Sequence, residues 1–204
     1  QSLFIEKQII KSLPVSKYIE RILKKILRKE SSDWTSQKIF KSRNKVKKSF
    51  IRVDADEVTY PLHIIHRFNI EYKIINENLN QDELPDLWNE EFFKIFDLKV
   101  DNDANGCLQD IHWFSGDIGY FPTYSVGAFI AAQLLNRIKN HFPQLTEMLQ
   151  NGNFRQIISW LRINIHKKGN EFKIDDLLMT ATQEKLNIKY FKHHIINRFI
   201  KGNF

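Results

Sequence analysis

Residues 51–68 read IRVDADEVTYPLHIIHRF, and the class of the fold turns on how they are read. FIRVD, residues 50–54, reads as a short extended piece. Asp54 and Glu57 then stand three residues apart, the offset of a capping box. Apolar residues recur at helical period from Val58 to Leu79. Pro61 is tolerated only in a first helical turn, which moves the start of this helix towards Thr59.

On that helix Asp56, Tyr60, His63 and Arg67 follow one another at spacings of four, three and four, so they share a face. Leu62, Ile65 and Asn69 turn elsewhere. Such a face is either solvated or buried against partners, because unpartnered polar groups are costly to bury. His63 and His66 have the i, i+3 spacing that can bring two rings to one ion. The better-known zinc pattern is i, i+4 with an acid between, and no sequence rule supplies a third ligand here. Spacing therefore argues against a metal pair, no metal ligand is assigned in this chain, and the stripe stays open between a solvated face and a functional one. The adjacent His193 and His194 point to different sides of a helix and make a weaker pair still.

The pattern continues on both sides. Residues 3–30 are helical in period, with Pro14 kinking or dividing the run, and a basic connection over 31–49 holds one short helix near Gln37 to Lys41. Helices are also predicted over 83–96, 121–142, 144–150, 154–168, 174–183 and 188–201. The fold class is mainly α. Only seven Gly and five Pro interrupt 204 residues, while 42% hydrophobic content with sixteen Phe supports a packed core. No flexible linker stands out, so residues 1–204 read as a single region.

Charge and cysteine narrow the classes. Residues 17–48 hold twelve Lys or Arg against three acids. That stretch is either a solvated helix face with a basic loop or a nucleic-acid-binding module, but it lacks RNA-sheet and zinc-finger patterns. Nucleic acid is not the expected partner. The single Cys107 excludes an internal disulfide framework, and no apolar run is long enough to span a membrane. A soluble, cytoplasmic protein without a membrane partner is expected.

A second dense stretch is GCLQDIHWFSGDIGYFPTYSVGAFIAAQ, residues 106–133. QDIHW gathers an amide, an acid, an imidazole and an indole. Gly116, Gly119 and Gly127 follow, with Tyr120 and Tyr124 on either side of Pro122. Phenols beside a glycine-rich loop suit an oxyanion or carboxylate, and equally a loop whose tyrosines fill space. No phosphate-loop, dinucleotide, G-x-S-x-G or H-E-x-x-H signature is present.

IRVDADEVTYPLHII (51–65) and GCLQDIHWFSGDIGYFPTYSVG (106–127) resemble two signature regions of the carboxypeptidase Taq family of zinc metallocarboxypeptidases. LPDLWNEEF (84–92), GNFRQIISWLRINIHKKG (152–169) and the C-terminal KYFKHHIINRF are similar to further segments, so the resemblance covers essentially the whole chain. QSLFIEKQI at the N-terminus resembles the continuation of the family's H-E-S-Q-S region. The resemblance implies the C-terminal portion of a larger helical metallopeptidase with a deep cleft. The zinc ligands and the H-E-x-x-H helix would precede Gln1.

The same resemblance implies a homodimer that removes C-terminal residues from peptides. Zinc would be the cofactor of the intact enzyme and would not be bound by this chain alone, whose activity would need an upstream part, supplied as a separate chain. Arg52 maps to the Arg that holds the peptide's α-carboxylate, and His112, Tyr120 and Tyr124 map to residues lining the cleft. His63, Arg67 and Asp110 stand behind them, supporting the site or the fold. His66 falls where relatives carry an aliphatic residue. The alternatives are a non-catalytic split-gene remnant and the basic helical nucleic-acid or partner-binding module of 17–48.

Overall fold

The computed structural model describes residues 2–28, 30, 32–77 and 79–202. Among these residues all regular structure is helical and no strand occurs. The chain divides into two compact units, Lys45–Val126 and the remainder, Gln1–Asn44 with Gly127–Phe204.

The discontinuous unit begins with a π-helical segment, Phe4–Ile10. A break at Ser12 follows, and α1 runs over Leu13–Leu27. Ser12 is extended and its side chain accepts from the Val15 N–H, while Pro14 sits in the first turn, where its missing N–H has no partner to lose. Pro14 therefore starts a helix and divides the 3–30 run. Thr35 caps α2 (Ser36–Arg43) in the same way, accepting from Lys38 N–H.

The later helices fall close to their expected ranges: α5 Pro122–His141, α6 Leu145–Gln150, α7 Arg155–Asn164, α8 Ile174–Thr182 and α9 Lys189–Ile195. A 3-10 turn, His166–Lys168, follows α7, and α9 passes into a π-helical segment, Ile196–Ile200. Phe4, Ile9, Val15, Leu134, Ile138, Leu149, Ile157 and Leu161 form this unit's core. Buried Arg198 donates to the carbonyls of Lys7 and Gln8, tying the last segment to the first. Two cations of the basic stretch have structural tasks as well. Arg21 donates to Gln150 O at 2.7 Å, and Arg43 donates to Ile10 O at 3.0 Å.

The second unit holds α3 (Tyr60–Asn76), α4 (Leu84–Phe96) and the long loop that follows. Its core is Ile70, Trp88, Phe92, Phe96 and Cys107. Two local expectations are corrected. Arg52–Asp54 is a 3-10 turn rather than an extended piece, closed by Ala55 N–H to Arg52 O at 3.1 Å. Nor do Asp54 and Glu57 form a capping box. The helix starts at Tyr60, too far along for Asp54 to reach. Asp56 takes up the preceding donors instead, with Oδ1 accepting from Val58 and Thr59 N–H and Oδ2 from the Thr59 hydroxyl.

α3 turns polar groups inward beside its buried apolar ones. It buries His63, His66, Arg67 and Glu71 together with Ile64 and Ile70, and exposes Leu62, Ile65, Phe68, Tyr72 and Ile75, the last two at 53% and 54%. Burying the polar stripe is tolerable only if each group meets a partner or sheds its charge. The pairings and the neutral histidines of that stripe build the site.

Candidate functional site

The backbone around Arg52 is stapled before its side chain is placed. Gln109 Oε1 accepts from Arg52 N–H at 3.0 Å, and its Nε2 donates to the carbonyls of Phe50, Asn105 and Gly106. One amide thus joins the turn at 52 to the loop that carries Asp110 and His112.

Arg52 is 6% exposed. Its Nε and Nη2 donate to Asp110 Oδ1 at 2.9 and 2.7 Å, and its Nη1 donates to the Tyr60 hydroxyl at 2.8 Å. Arg67, fully buried, donates through Nε to the other oxygen, Asp110 Oδ2, at 2.5 Å, and through Nη1 to His63 O. One carboxylate therefore holds two guanidinium groups and leaves the trio one positive charge in excess.

The titration behaviour follows from that arrangement. Burial pushes the Asp110 carboxyl up, but the hydrogen bonds and charges of Arg52 and Arg67 outweigh it and hold the group below its ordinary value. Burial lowers Arg67 to about 10 despite Asp110, so it stays charged at neutral pH. Burial also pulls Arg52 down, but Asp110 and Tyr60 outweigh it and leave the guanidinium above its ordinary value.

Aromatic rings wall the trio. The Arg52 guanidinium lies 5.0 Å from the Tyr124 ring centre and 5.8 Å from those of Tyr60 and Phe121. His112 Nε2 and the Tyr124 hydroxyl share a hydrogen bond of 2.9 Å, and His112 Nδ1 lies 3.9 Å from Asp110 Oδ1. Tyr120 packs against both His112 and Tyr124 and is 46% exposed. Burial raises the Tyr124 hydroxyl above its usual value, so it remains a protonated phenol.

Of an arginine's five N–H donors, three on Arg52 are engaged. Among the described residues, one each on Nη1 and Nη2 has no acceptor. Paired donors on a fixed fork beside a net positive charge are what a carboxylate fits.

Arg52, Arg67, Asp110, His112, Tyr120 and Tyr124 are thus brought together, and Tyr60 joins them through Arg52. His63 has another setting. Its ring lies 4.4 Å from that of Phe96, and the His66 ring lies 4.4 Å from that of Trp88. Neither ring has a hydrogen-bond partner among the described residues, and burial pushes both down to about 3, so both are neutral aromatic fillers. Among the described residues no three His, Cys, Asp or Glu side chains gather where they could hold a metal ion.

Sequence reading passed over Tyr60 as a partner of Arg52, Gln109 as the staple, and Glu71. The signal for Glu71 was available, since it lies one turn beyond Arg67 on the same stripe.

A model of the carboxypeptidase Taq (M32) metallopeptidases matches residues 1–199. The chain belongs to this family. Carboxypeptidase 1 of Bacillus subtilis is 41% identical over 156 residues, spanning 76% of this chain and 31% of that protein. Thermostable carboxypeptidase 1 of Pyrococcus furiosus is 35% identical over 200 residues, 98% of this chain and 40% of its own length. Among solved structures, Trypanosoma cruzi metallocarboxypeptidase 1 superposes with a TM-score of 0.91 at 34% identity, covering 98% of this chain and 42% of that one. The Pyrococcus furiosus carboxypeptidase structure gives 0.89 at 36% identity, over 96% of this chain and 39% of that one. This M32 chain thus has the family's helical fold and spans well under half the length of these relatives.

Proposed function

We propose that this chain supplies the substrate-carboxylate part of a zinc carboxypeptidase that removes single residues from peptide C-termini. Arg52 receives the α-carboxylate through its two uncommitted N–H groups. Tyr124, held by His112, and the exposed Tyr120 close the aromatic wall around the terminal residue. Asp110, fixed by Arg67, holds the Arg52 fork in plane.

The observation that carries this reading is the excess positive charge of the Arg52–Asp110–Arg67 trio, with two N–H groups of Arg52 that meet no acceptor among the described residues. Zinc is held by residues outside these 204, in the same polypeptide or a separate one, so the described residues bind the peptide and do not cleave it. The working enzyme is a cytoplasmic homodimer, and the proposal needs neither nucleic acid nor membrane as a partner.

The test is an NMR titration of this chain with an N-acetylated dipeptide and with its C-terminal amide. The amide keeps one acceptor oxygen and forfeits one charge-assisted bond, worth about 1.5–3 kcal/mol, which predicts at least a roughly tenfold preference for the free acid. Arg52→Lys should abolish most of that preference. Equal affinity for acid and amide would overturn the assignment. Separately, adding a polypeptide that carries H-E-x-x-H and a third ligand should bring release of C-terminal residues. Its failure would leave a binding part only.

A further inference from the structure

Glu71 is 5% exposed, yet no cation pairs with it among the described residues. Its two oxygens accept from two separate points of one loop. Oε2 takes the Trp113 indole N–H at 2.9 Å, and Oε1 takes the Gly119 backbone N–H at 2.5 Å. Between those points the chain folds back on itself, with His112 O accepting from Ser115 N–H at 3.2 Å and Asp117 N–H at 2.8 Å. The side chains of 114–120 are all exposed. Packing therefore does little to place this segment, and Glu71 grips it where it leaves the core and where it returns.

The neighbours of the gripped residues matter. His112 precedes Trp113, and Tyr120 follows Gly119. Trp113 packs edge-on to Trp88 and Phe121, and Phe121 lies 4.5 Å from His112, so a shift of the loop moves the His112 ring. Gly119 has φ +77°, a conformation that a residue with a Cβ adopts only with strain, and it turns its N–H towards Glu71. Tyr60, Arg67 and Glu71 thus form one stripe of α3 that holds, in order, Arg52, Asp110 and the loop over them.

We propose that Glu71 is a positioning residue of the carboxylate site: its two oxygens set the register of the 111–120 loop, and through it His112 and Tyr120, relative to Arg52. It touches no substrate, and its role rests on the carboxylate reading of the site. Two donors require two acceptors, which a carboxylate provides and an amide does not. A Gln at 71 accepts one N–H and turns its own NH2 towards the other.

The experiment repeats the acid and amide titrations on Glu71→Gln, Glu71→Leu and Trp113→Phe, at a temperature where circular dichroism shows each folded. The Gly119 amide proton shift is recorded alongside. Losing one neutral-donor bond to the site predicts a roughly threefold to tenfold weaker free-acid affinity for Glu71→Gln. Glu71→Leu should lose more and Trp113→Phe less. Amide affinity, which depends on the aromatic wall but less on the Arg52 fork, should fall less, so the acid-to-amide ratio falls in that order, which a merely structural loss would not produce. Unchanged ratios in folded Glu71→Gln overturn the proposal, and this isosteric variant decides the matter if Glu71→Leu does not fold. Equal acid and amide affinities in the wild type would overturn the carboxylate reading itself. The Gly119 shift would then still tell whether Glu71 holds the loop.

Discussion

Asp110→Asn is the most demanding perturbation of this structure. The substitution keeps the shape and one acceptor oxygen but removes the charge that Arg52 and Arg67 share. Asp110 receives three charge-assisted hydrogen bonds, from Arg52 Nε and Nη2 and from Arg67 Nε. The side chains of Asp110, Arg52 and Arg67 are 10%, 7% and 0% exposed, so water cannot replace the lost counter-charge. Removing one partner of a buried ion pair typically costs about 3–5 kcal/mol, and here one deletion strands two cations. That is a large part of a whole domain's stability, which is about 5–15 kcal/mol.

Urea unfolding at pH 7, followed by tryptophan fluorescence, should show the midpoint falling with little change in slope. The pH dependence gives a second reading. Because the folded-state value of Asp110 is depressed, its stabilisation is complete above the ordinary Asp range and disappears as pH falls through the depressed value. The wild-type advantage over Asp110→Asn should therefore shrink towards pH 3. Adding Arg67→Met to Asp110→Asn removes one stranded cation and should restore part of the loss, since the asymmetry lies in burying a charge without its partner. A loss below about 1 kcal/mol at pH 7 would place the trio among screened surface pairs and refute the reasoning.

Three further outcomes follow from particular residues. His63 and His66 are buried neutral and pushed down to about 3, so they stay unprotonated in the fold while the unfolded chain takes up protons below about 6.5. Stability should fall with pH between about 6.5 and 5, and two protons set an upper slope of about 2.7 kcal/mol per pH unit. His66→Leu should roughly halve the histidine part of that slope, and an unchanged slope would show that the rings reach water. Gly152 has φ +71° and a Cβ there would stand 2.3 Å from the Tyr18 ring, so Gly152→Ala should cost about 2–4 kcal/mol by thermal unfolding. Gly119 has a similar φ but open space around it, so Gly119→Ala should cost only about 1–2 kcal/mol. Equal losses at the two glycines would mean that the Tyr18 contact is relieved at no cost.

The helices were legible in the sequence because their punctuation is local. Pro14 behind Ser12, Pro61 behind Thr59 and the apolar period of 121–142 need no distant partner to act. The failures were local too, but ambiguous: Asp54 and Asp56 both have carboxylates near a helix start, and the one that accepts from Val58 and Thr59 is chosen by the turn at Arg52–Asp54. The site was legible as a list and not as an arrangement. Arg52, Tyr60, Arg67, Asp110, His112 and Tyr124 could all be picked out by type, but the ion pairs that arrange the two arginines span long separations, 58 residues for Arg52 and Asp110 and 43 for Arg67 and Asp110.

Helix α3 shows why periodicity alone could not close that gap. A hydrophobic pattern tells which residues share a face, while the face turned inward is decided by energy. For α3 apolar residues lie on both faces: Ile64 and Ile70 are buried, while Leu62, Ile65, Phe68, Tyr72 and Ile75 are exposed. The polar stripe goes in because its charged groups are partnered: Arg67 by Asp110, and Glu71 by Trp113 and Gly119. His63 and His66 go in as neutral rings. All of those partners lie more than forty residues downstream. The inward turn of α3 is thus a consequence of the 106–121 loop, and the loop in turn is placed by α3. Neither stretch specifies the site without the other, which is why Glu71, marked in the sequence only by its place one turn beyond Arg67, is the one whose loss should be felt furthest from its own position.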